Sequence, residues 1–133
     1  MVYSKVMDAV SQMTHVFDEI LSSGKIPIIQ SYDDIECTDG LYRFCGSKTL
    51  LIDNQYWRLE FIPDRSNPYL PPEVISAKCI PCTLPMQSYL YGFGIWMLKH
   101  INCKLSDLYP SSLFYCLERC LANDAESRIL RYV

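Results

Sequence analysis

The sequence predicts one α+β domain, mostly helical, with a small β-hairpin region. Three observations lead to this fold class. Apolar residues recur at helical spacing over about residues 3–23, a second apolar run extends from Tyr89 to Ile101, and short alternating segments bounded by turn residues occupy positions 41–61. Helical periodicity on both sides of a region of strand periodicity is typical of an α+β domain.

The first helix is predicted from a single apolar stripe. The stripe consists of Val6, Val10, Met13, Phe17, Ile20 and Leu21. Residues three and four positions apart lie on one face of an α-helix, so this face is expected to contact the core. Gly24 follows directly and suits the left-handed cap that ends many helices. His15 lies off the stripe and is predicted to be a solvated helix residue rather than a ligand or a base.

Short extended segments are predicted after this helix. Ile26–Ile29 is apolar, whereas positions 31–39 are polar and acidic, which favours a loop that closes with a turn at Thr38–Gly40. Strands are expected at Leu41–Cys45, Thr49–Ile52 and Tyr56–Phe61. Asp53 and Asn54 would form the turn between the last two strands, because both residue types tolerate turn conformations.

The central helix is expected to follow an irregular, proline-rich segment. That segment contains Pro63, Pro68, Pro71 and Pro72. The helix would start near Leu84–Pro85 and continue to about residue 100, because a proline in the first helical turn loses no hydrogen bond. Gly92 and Gly94 each lower its helix propensity by up to about 1 kcal/mol. We infer that another backbone packs closely against them.

A last helix is predicted near the carboxyl end. Its apolar stripe consists of Leu113, Leu117, Cys120 and Leu121. Pro110–Ser112 offers helix-starting residues before this stripe, and Asn123–Asp124 is expected to close the helix and cap the next turn. Arg128 follows one turn later.

Glu73 and Arg128 are predicted to form a structural ion pair. Val74, Ile75 and the run that begins at Tyr89 make the surroundings of Glu73 apolar. A carboxylate in such surroundings favours a guanidinium, whose planar fork can donate to both carboxylate oxygens. The pair would fix geometry more than it adds stability, because replacing both partners of a buried pair by apolar groups is often neutral.

Four segments resemble, in their shared order, the C-terminal lobe of protein kinases. Leu50–Phe61 resembles the hairpin that leads to the Asp-Phe-Gly position, and Tyr69–Val74 is similar to the Ala-Pro-Glu segment that closes the activation loop. Tyr91–Leu98 is similar to the central buried helix of that lobe. Cys120–Arg128 resembles the late segment whose arginine pairs with the glutamate. The resemblance implies a single kinase C-lobe-like domain over residues 1–133.

The catalytic residues of that family are missing at the matching positions. Ile26–Asp34 lacks His-Arg-Asp, Glu60–Ile62 stands at the metal-binding Asp-Phe-Gly, and Tyr89 stands at the aspartate early in the central helix. We also expect no N-terminal lobe before the first helix. The resemblance therefore implies a non-catalytic lobe, similar either to the KIND domains of actin-nucleator and scaffold proteins or to a truncated pseudokinase.

Composition and charge argue against several classes of function. Of the 133 residues, 50% are apolar and 20% charged, and the formal net charge is −3. This balance predicts one folded domain. A net negative charge without a basic stripe argues against a nucleic acid partner. The sequence shows neither a secretory signal nor an apolar stretch long enough to span a membrane, so we expect no membrane partner and an intracellular address, cytoplasmic or nuclear.

The seven cysteines are expected to be reduced. Cys116 and Cys120 share a helical face with Leu113 and Leu117, which favours core packing. One set has a spacing similar to that of a zinc finger, and it consists of Cys79, Cys82, His100 and Cys103. An unbroken central helix would hold Cys82 and His100 roughly 24 Å apart, so we predict no metal site.

The predicted function is binding of another protein. In KIND domains, the resemblance implies, an acidic groove takes a basic segment. The candidate residues for such a groove are Asp33, Asp34, Glu36 and Asp39. Clustered carboxylates speed the encounter with a basic partner. The alternative for these residues is a merely solvated acidic loop.

Two other hypotheses remain at this point. The chain could be a truncated kinase mimic, encoded for example by a virus, that binds and inhibits a host kinase. It could also be an enzyme. His15 and His100 are its only histidines, however, and the sequence shows no recognisable arrangement of nucleophile, base and acid. Asp33 and Asp34 are adjacent and point apart. We therefore predict no catalytic residues, no cofactor, and a protein partner that is a basic or helical segment or a kinase.

Overall fold

The computed structural model describes residues 2–130, and only the backbone of Val2 and Tyr3. In this part of the chain the α-helices are α1 Val2–Ser22, α2 Pro72–Ile75, α3 Ser88–Ile101 and α4 Ser112–Cys120. The strands are β1 Lys25–Ile28, β2 Ile35–Thr38, β3 Leu41–Phe44, β4 Ser47–Ile52, β5 Tyr56–Leu59 and β6 Cys82–Pro85. The predicted α+β class is confirmed.

Helix α1 forms because its apolar stripe reaches the core. Val6, Met13 and Phe17 are almost completely buried and pack against α3. Gly24 ends the helix at φ +81°, in the left-handed conformation that glycine adopts without strain. His15 stays exposed and lies 2.9 Å from Glu19 one turn later.

The strands form two antiparallel sheets. Four strands pair in the order β1–β4–β5–β6, and β2 pairs with β3 as a separate hairpin. The predicted turn between β4 and β5 is confirmed, with Asp53 and Asn54 at φ 54° and 55°. Two successive residues at positive φ are typical of the tight turn whose twist matches an antiparallel hairpin.

The acidic segment 31–39, predicted as a loop, is largely regular structure. It contains the 3-10 turn Tyr32–Asp34 and the strand β2. Strand β2 forms because Ile35 is buried and because Glu36 faces Arg43 across the hairpin. Only its end is a turn, where Asp39 and Gly40 have positive φ.

The predicted start of the central helix is also wrong. Leu84 and Pro85 belong to β6, in which Pro85 is the register partner of Tyr56. A proline is tolerated there because β6 is an edge strand, so one side of it needs no donors. Helix α3 begins at Ser88 and runs unbroken to Ile101.

The proline-rich segment contains one unexpected helical turn, α2. Pro72 occupies its first turn, where the missing N–H costs nothing, and Val74 is buried. The predicted start of the last helix is confirmed, because the Ser111 side chain accepts a hydrogen bond from Phe114 N at the start of α4. Asp124 caps the following 3-10 turn, Ala125–Ser127, as expected.

Two clusters of buried apolar side chains lie in the described part of the chain. The larger one joins α1, α3 and α4, and the second lies under the four-stranded sheet around Trp57. Gly94 allows α3 to approach the end of α4, because a Cβ built there would lie 2.8 Å from Leu121 Cδ2 and 3.2 Å from Cys120 Cβ. Among residues 2–130, no helix has the length and apolar composition needed to cross a membrane.

Candidate protein-interaction surface

The four acidic residues of the predicted groove have different environments in the structure. Asp34 is turned toward its own backbone, where its Oδ2 accepts hydrogen bonds from Gln30 N at 2.7 Å and Ser31 N at 3.2 Å. These bonds hold the 3-10 turn that enters β2. The Asp34 carboxylate therefore stabilises local structure, and its Oδ2 is already hydrogen-bonded within the chain.

Glu36 is paired within the hairpin. Its two carboxylate oxygens accept hydrogen bonds from Arg43 Nη2, both at 3.2 Å. The Arg43 hydrogen bond, assisted by one from Cys45, lowers the pKa of Glu36 from its usual range. Both side chains of the pair are exposed, so the pair is screened by solvent and adds little to stability.

Asp33 and Asp39 are the acidic residues that face solvent without such partners. Within residues 2–130 neither carboxylate accepts a hydrogen bond, and both residues are exposed. Asp39 lines a depression of about 320 Å³ together with Glu36 and Leu41. Leu41 is 70% exposed at the same hairpin. We call Asp33, Glu36, Asp39 and Leu41 the hairpin surface.

A histidine and three aromatic side chains attach this hairpin to α3. Tyr42 Oη lies 2.8 Å from His100 Nε2, and Tyr32 Oη lies 3.1 Å from His100 Nδ1. The His100 ring stacks on Trp96 with the centroids 4.6 Å apart, and Trp96 Nε1 donates to Tyr32 O at 3.0 Å. Both ring nitrogens of His100 are thus occupied.

The surroundings of His100 favour its neutral form. Burial, and then the positive charge of Lys5 on α1, lower the pKa of His100 from its usual value. In a neutral imidazole one nitrogen donates and the other accepts. One of the two tyrosine hydroxyls therefore donates to the ring while the other accepts from it, and burial raises the pKa of Tyr42.

The structure brings Glu73 and Arg128 together in a bidentate ion pair. Arg128 Nη1 lies 2.6 Å from Glu73 Oε2, and Nη2 lies 2.8 Å from Oε1. The Arg128 side chain is completely buried, and that of Glu73 is 16% exposed. Arg128 Nε also donates to Ala122 O at 2.7 Å, and the guanidinium lies over the Tyr91 ring.

A polar chain that sequence analysis missed extends from this pair into the sheet. Ser88 Oγ lies 2.9 Å from Glu73 Oε2 and accepts a hydrogen bond from Trp57 Nε1 at 3.0 Å. The sequence separation of 31 residues between Trp57 and Ser88 leaves no local signal for this contact. The chain connects β5, the first turn of α3, α2 and the segment after α4.

The residues considered for zinc are not assembled into a site. His100 contacts two tyrosines, Cys79 is exposed, and Cys103 donates weakly to Ile101 O. Over the part of the chain that the structure describes, no group of three or more metal-ligating side chains is placed to hold an ion. Cys116 and Cys120 are buried in α4, in agreement with the packing role expected for them.

No protein-family model matches this chain, and neither a curated protein nor a solved structure shows significant similarity to it.

Proposed function

We propose that this protein is a non-catalytic protein-interaction module that binds a basic segment of a partner. The observation that carries the proposal is the hairpin surface, where the solvent-facing carboxylate of Asp39 stands beside the exposed Leu41 and that of Asp33 lies at the other end of the hairpin. Carboxylates attract a basic chain over distance, and an exposed apolar side chain gives it a short-range anchor. Lysine or arginine side chains beside one apolar residue would complement this surface.

The proposed scaffold is similar to the C-terminal lobe of protein kinases. Three features support it: the pair Glu73–Arg128, the unbroken helix α3, and the close approach of Gly94 to α4. Each matches a segment of the resemblance in the order that the family has it. The departures at Glu60 and Tyr89 support a binding rather than a phosphoryl-transfer role.

The surroundings of the histidines also favour a non-catalytic role. A serine or cysteine nucleophile needs a base within hydrogen-bond distance. His15 contacts Glu19, and both ring nitrogens of His100 contact tyrosines. Partial desolvation, and then the hydrogen bond to the Glu36 carboxylate, raise the pKa of the exposed Cys45 thiol, which opposes the thiolate form that acts as a nucleophile.

A charge-reversal titration tests the proposal. The probe is a fluorescent lysine-rich peptide with one central leucine, and binding is followed by anisotropy at low and at physiological salt. We expect D33K/D39K to weaken binding at least tenfold at low salt. Asp34 is left unchanged because its reversal would break the turn before β2.

The matched control is E118K/E126K, which reverses two exposed acids elsewhere and makes the same change in net charge. It should reduce binding far less than D33K/D39K does. Equal losses in the two variants would mean that only overall charge attracts the probe, and the hairpin surface would then be discarded as the binding site.

A further inference from the structure

The outer face of the four-stranded sheet carries three exposed apolar side chains where a solvated sheet face is normally polar. Leu50, Ile52 and Tyr56 are 68%, 39% and 39% exposed. An antiparallel sheet with one face in water usually alternates apolar residues inward with polar residues outward. The sheet follows this pattern on its inner face, where Trp57 and Leu59 are buried, and departs from it on the outer face.

Strand register places these exposed side chains together. Leu50 and Ile52 are two positions apart on β4 and therefore share a face, and Ile52 is the direct register partner of Tyr56 on β5. Cross-strand partners on one face have their Cβ atoms about 5 Å apart. The three side chains thus form one continuous apolar stripe across the two middle strands.

Three cations surround the stripe at Leu50. Lys25 is the register partner of Leu50 on β1, and Lys48 lies two positions before it on β4. Arg58 lies two positions after Tyr56, so the antiparallel register brings it opposite Leu50 on the other side. Acids lie at the margins of the stripe, where Glu60 Oε1 is 3.8 Å from Arg58 Nε, Asp53 is in the turn, and Glu126 lines a depression with Tyr56, away from the three cations.

We propose that this sheet face docks an acidic amphipathic helix of a partner protein. A helix laid across an apolar sheet face is one of the standard layer arrangements that bury such a face. Glutamates flanking the apolar stripe of such a helix would meet Lys25, Lys48 and Arg58, while its leucines cover Leu50, Ile52 and Tyr56. This site is separate from the hairpin surface and opposite to it in charge preference.

Direct binding tests the proposal. The probe is a fluorescent synthetic helix with leucines on one face and glutamates at its borders, and its affinity is measured by anisotropy with the full chain. We expect L50S/I52S to weaken binding at least tenfold, and K48E/R58E to weaken it mainly at low salt. Both variants change exposed side chains, so near-native circular dichroism and melting curves are expected and are measured first.

The matched control is L41S, since Leu41 is as exposed as Leu50 but lies on the hairpin surface. Unchanged affinity in L41S supports the proposal, and a loss equal to that of L50S/I52S overturns it. A probe-free dimer by light scattering that L50S/I52S dissociates would assign the face to a second copy of the chain and also overturn it. L50S/I52S should leave the affinity for the basic probe unchanged. A negative result for one proposed site therefore does not count against the other.

Discussion

At the scale of single residues, Arg128 shows how one side chain can hold distant segments in place. Its guanidinium donates to Glu73, which is 55 residues earlier, and to the carbonyls of Ala122 and Asn123 in the segment after α4. A completely buried cation needs such partners, because an unpaired buried charge is costly. The pair fixes how the segment after α4 lies against α2.

Removal of one partner should therefore cost far more than removal of both. We expect R128A to lower the free energy of unfolding by about 3–5 kcal/mol, because Glu73 would be left without its cation. The double variant E73M/R128M should recover much of this loss. Urea unfolding followed by tryptophan fluorescence measures both.

The exposed pair Glu36–Arg43 offers the control, and R43A should leave stability nearly unchanged because solvent screens that pair. If R128A lowers the free energy of unfolding no more than R43A does, the buried pair does not stabilise the fold.

At the scale of elements, the hairpin β2–β3 depends on α1 and α3 for its position. Tyr42 N donates to Gln12 Oε1 on α1 at 2.8 Å, and the Tyr42 hydroxyl contacts His100 on α3. A two-stranded hairpin is marginal by itself in water, so these contacts hold it. The hairpin surface thus lies on an element that α1 and α3 hold in place.

The His100 contacts predict a pH dependence of stability. The folded state lowers the pKa of His100 below the value of 6.5 that the unfolded chain has. Between these two pKa values the unfolded chain binds more protons, so stability falls as the pH drops below about 6.5 and is constant above it. Melting temperatures measured between about pH 7.5 and pH 5 test this.

His100→Gln should flatten this slope, since glutamine keeps a donor and an acceptor but does not titrate. H15Q is the control, because it removes the other histidine at an exposed position outside these contacts. If H100Q keeps the wild-type slope, the protonation of His100 is not linked to folding.

Elements with strong local patterns could be predicted from the sequence, and elements fixed by distant partners could not. Helix α1 has one clean apolar stripe, and the turn at Asp53 and Asn54 has local turn chemistry. Strand β2 has a single inward apolar residue, Ile35, so the sequence pattern did not predict its pairing with β3. Pro85 indicated a helix start, but the pairing of β6 with β5 prevailed over this local preference.

The candidate surfaces were predicted in part for the same reason. The acidic residues could be named from composition, but the roles of Asp34 and Glu36 depend on contacts with Gln30 and Arg43. The contacts of His100 with Tyr32 and Tyr42 span 68 and 58 residues. No local pattern indicates contacts at such separations. The pair Glu73–Arg128 was predicted because the order of whole segments, rather than their local pattern, suggested it.

At the scale of the whole molecule, the two proposed sites differ in charge. The chain has a net charge of −3, yet Lys25, Lys48 and Arg58 gather on the outer face of the sheet. The hairpin surface carries the exposed acids Asp33 and Asp39. A module with two such sites can bring a basic and an acidic segment together, which is a scaffolding role.

Hydrogen–deuterium exchange with the lysine-rich probe tests the proposed function most directly, because it locates the binding site in the unmodified protein. We predict slower exchange over residues 32–43 when the probe is bound and unchanged exchange over residues 48–58. Slower exchange over the sheet strands alone, or over neither region at a saturating probe concentration, would contradict binding at the hairpin surface.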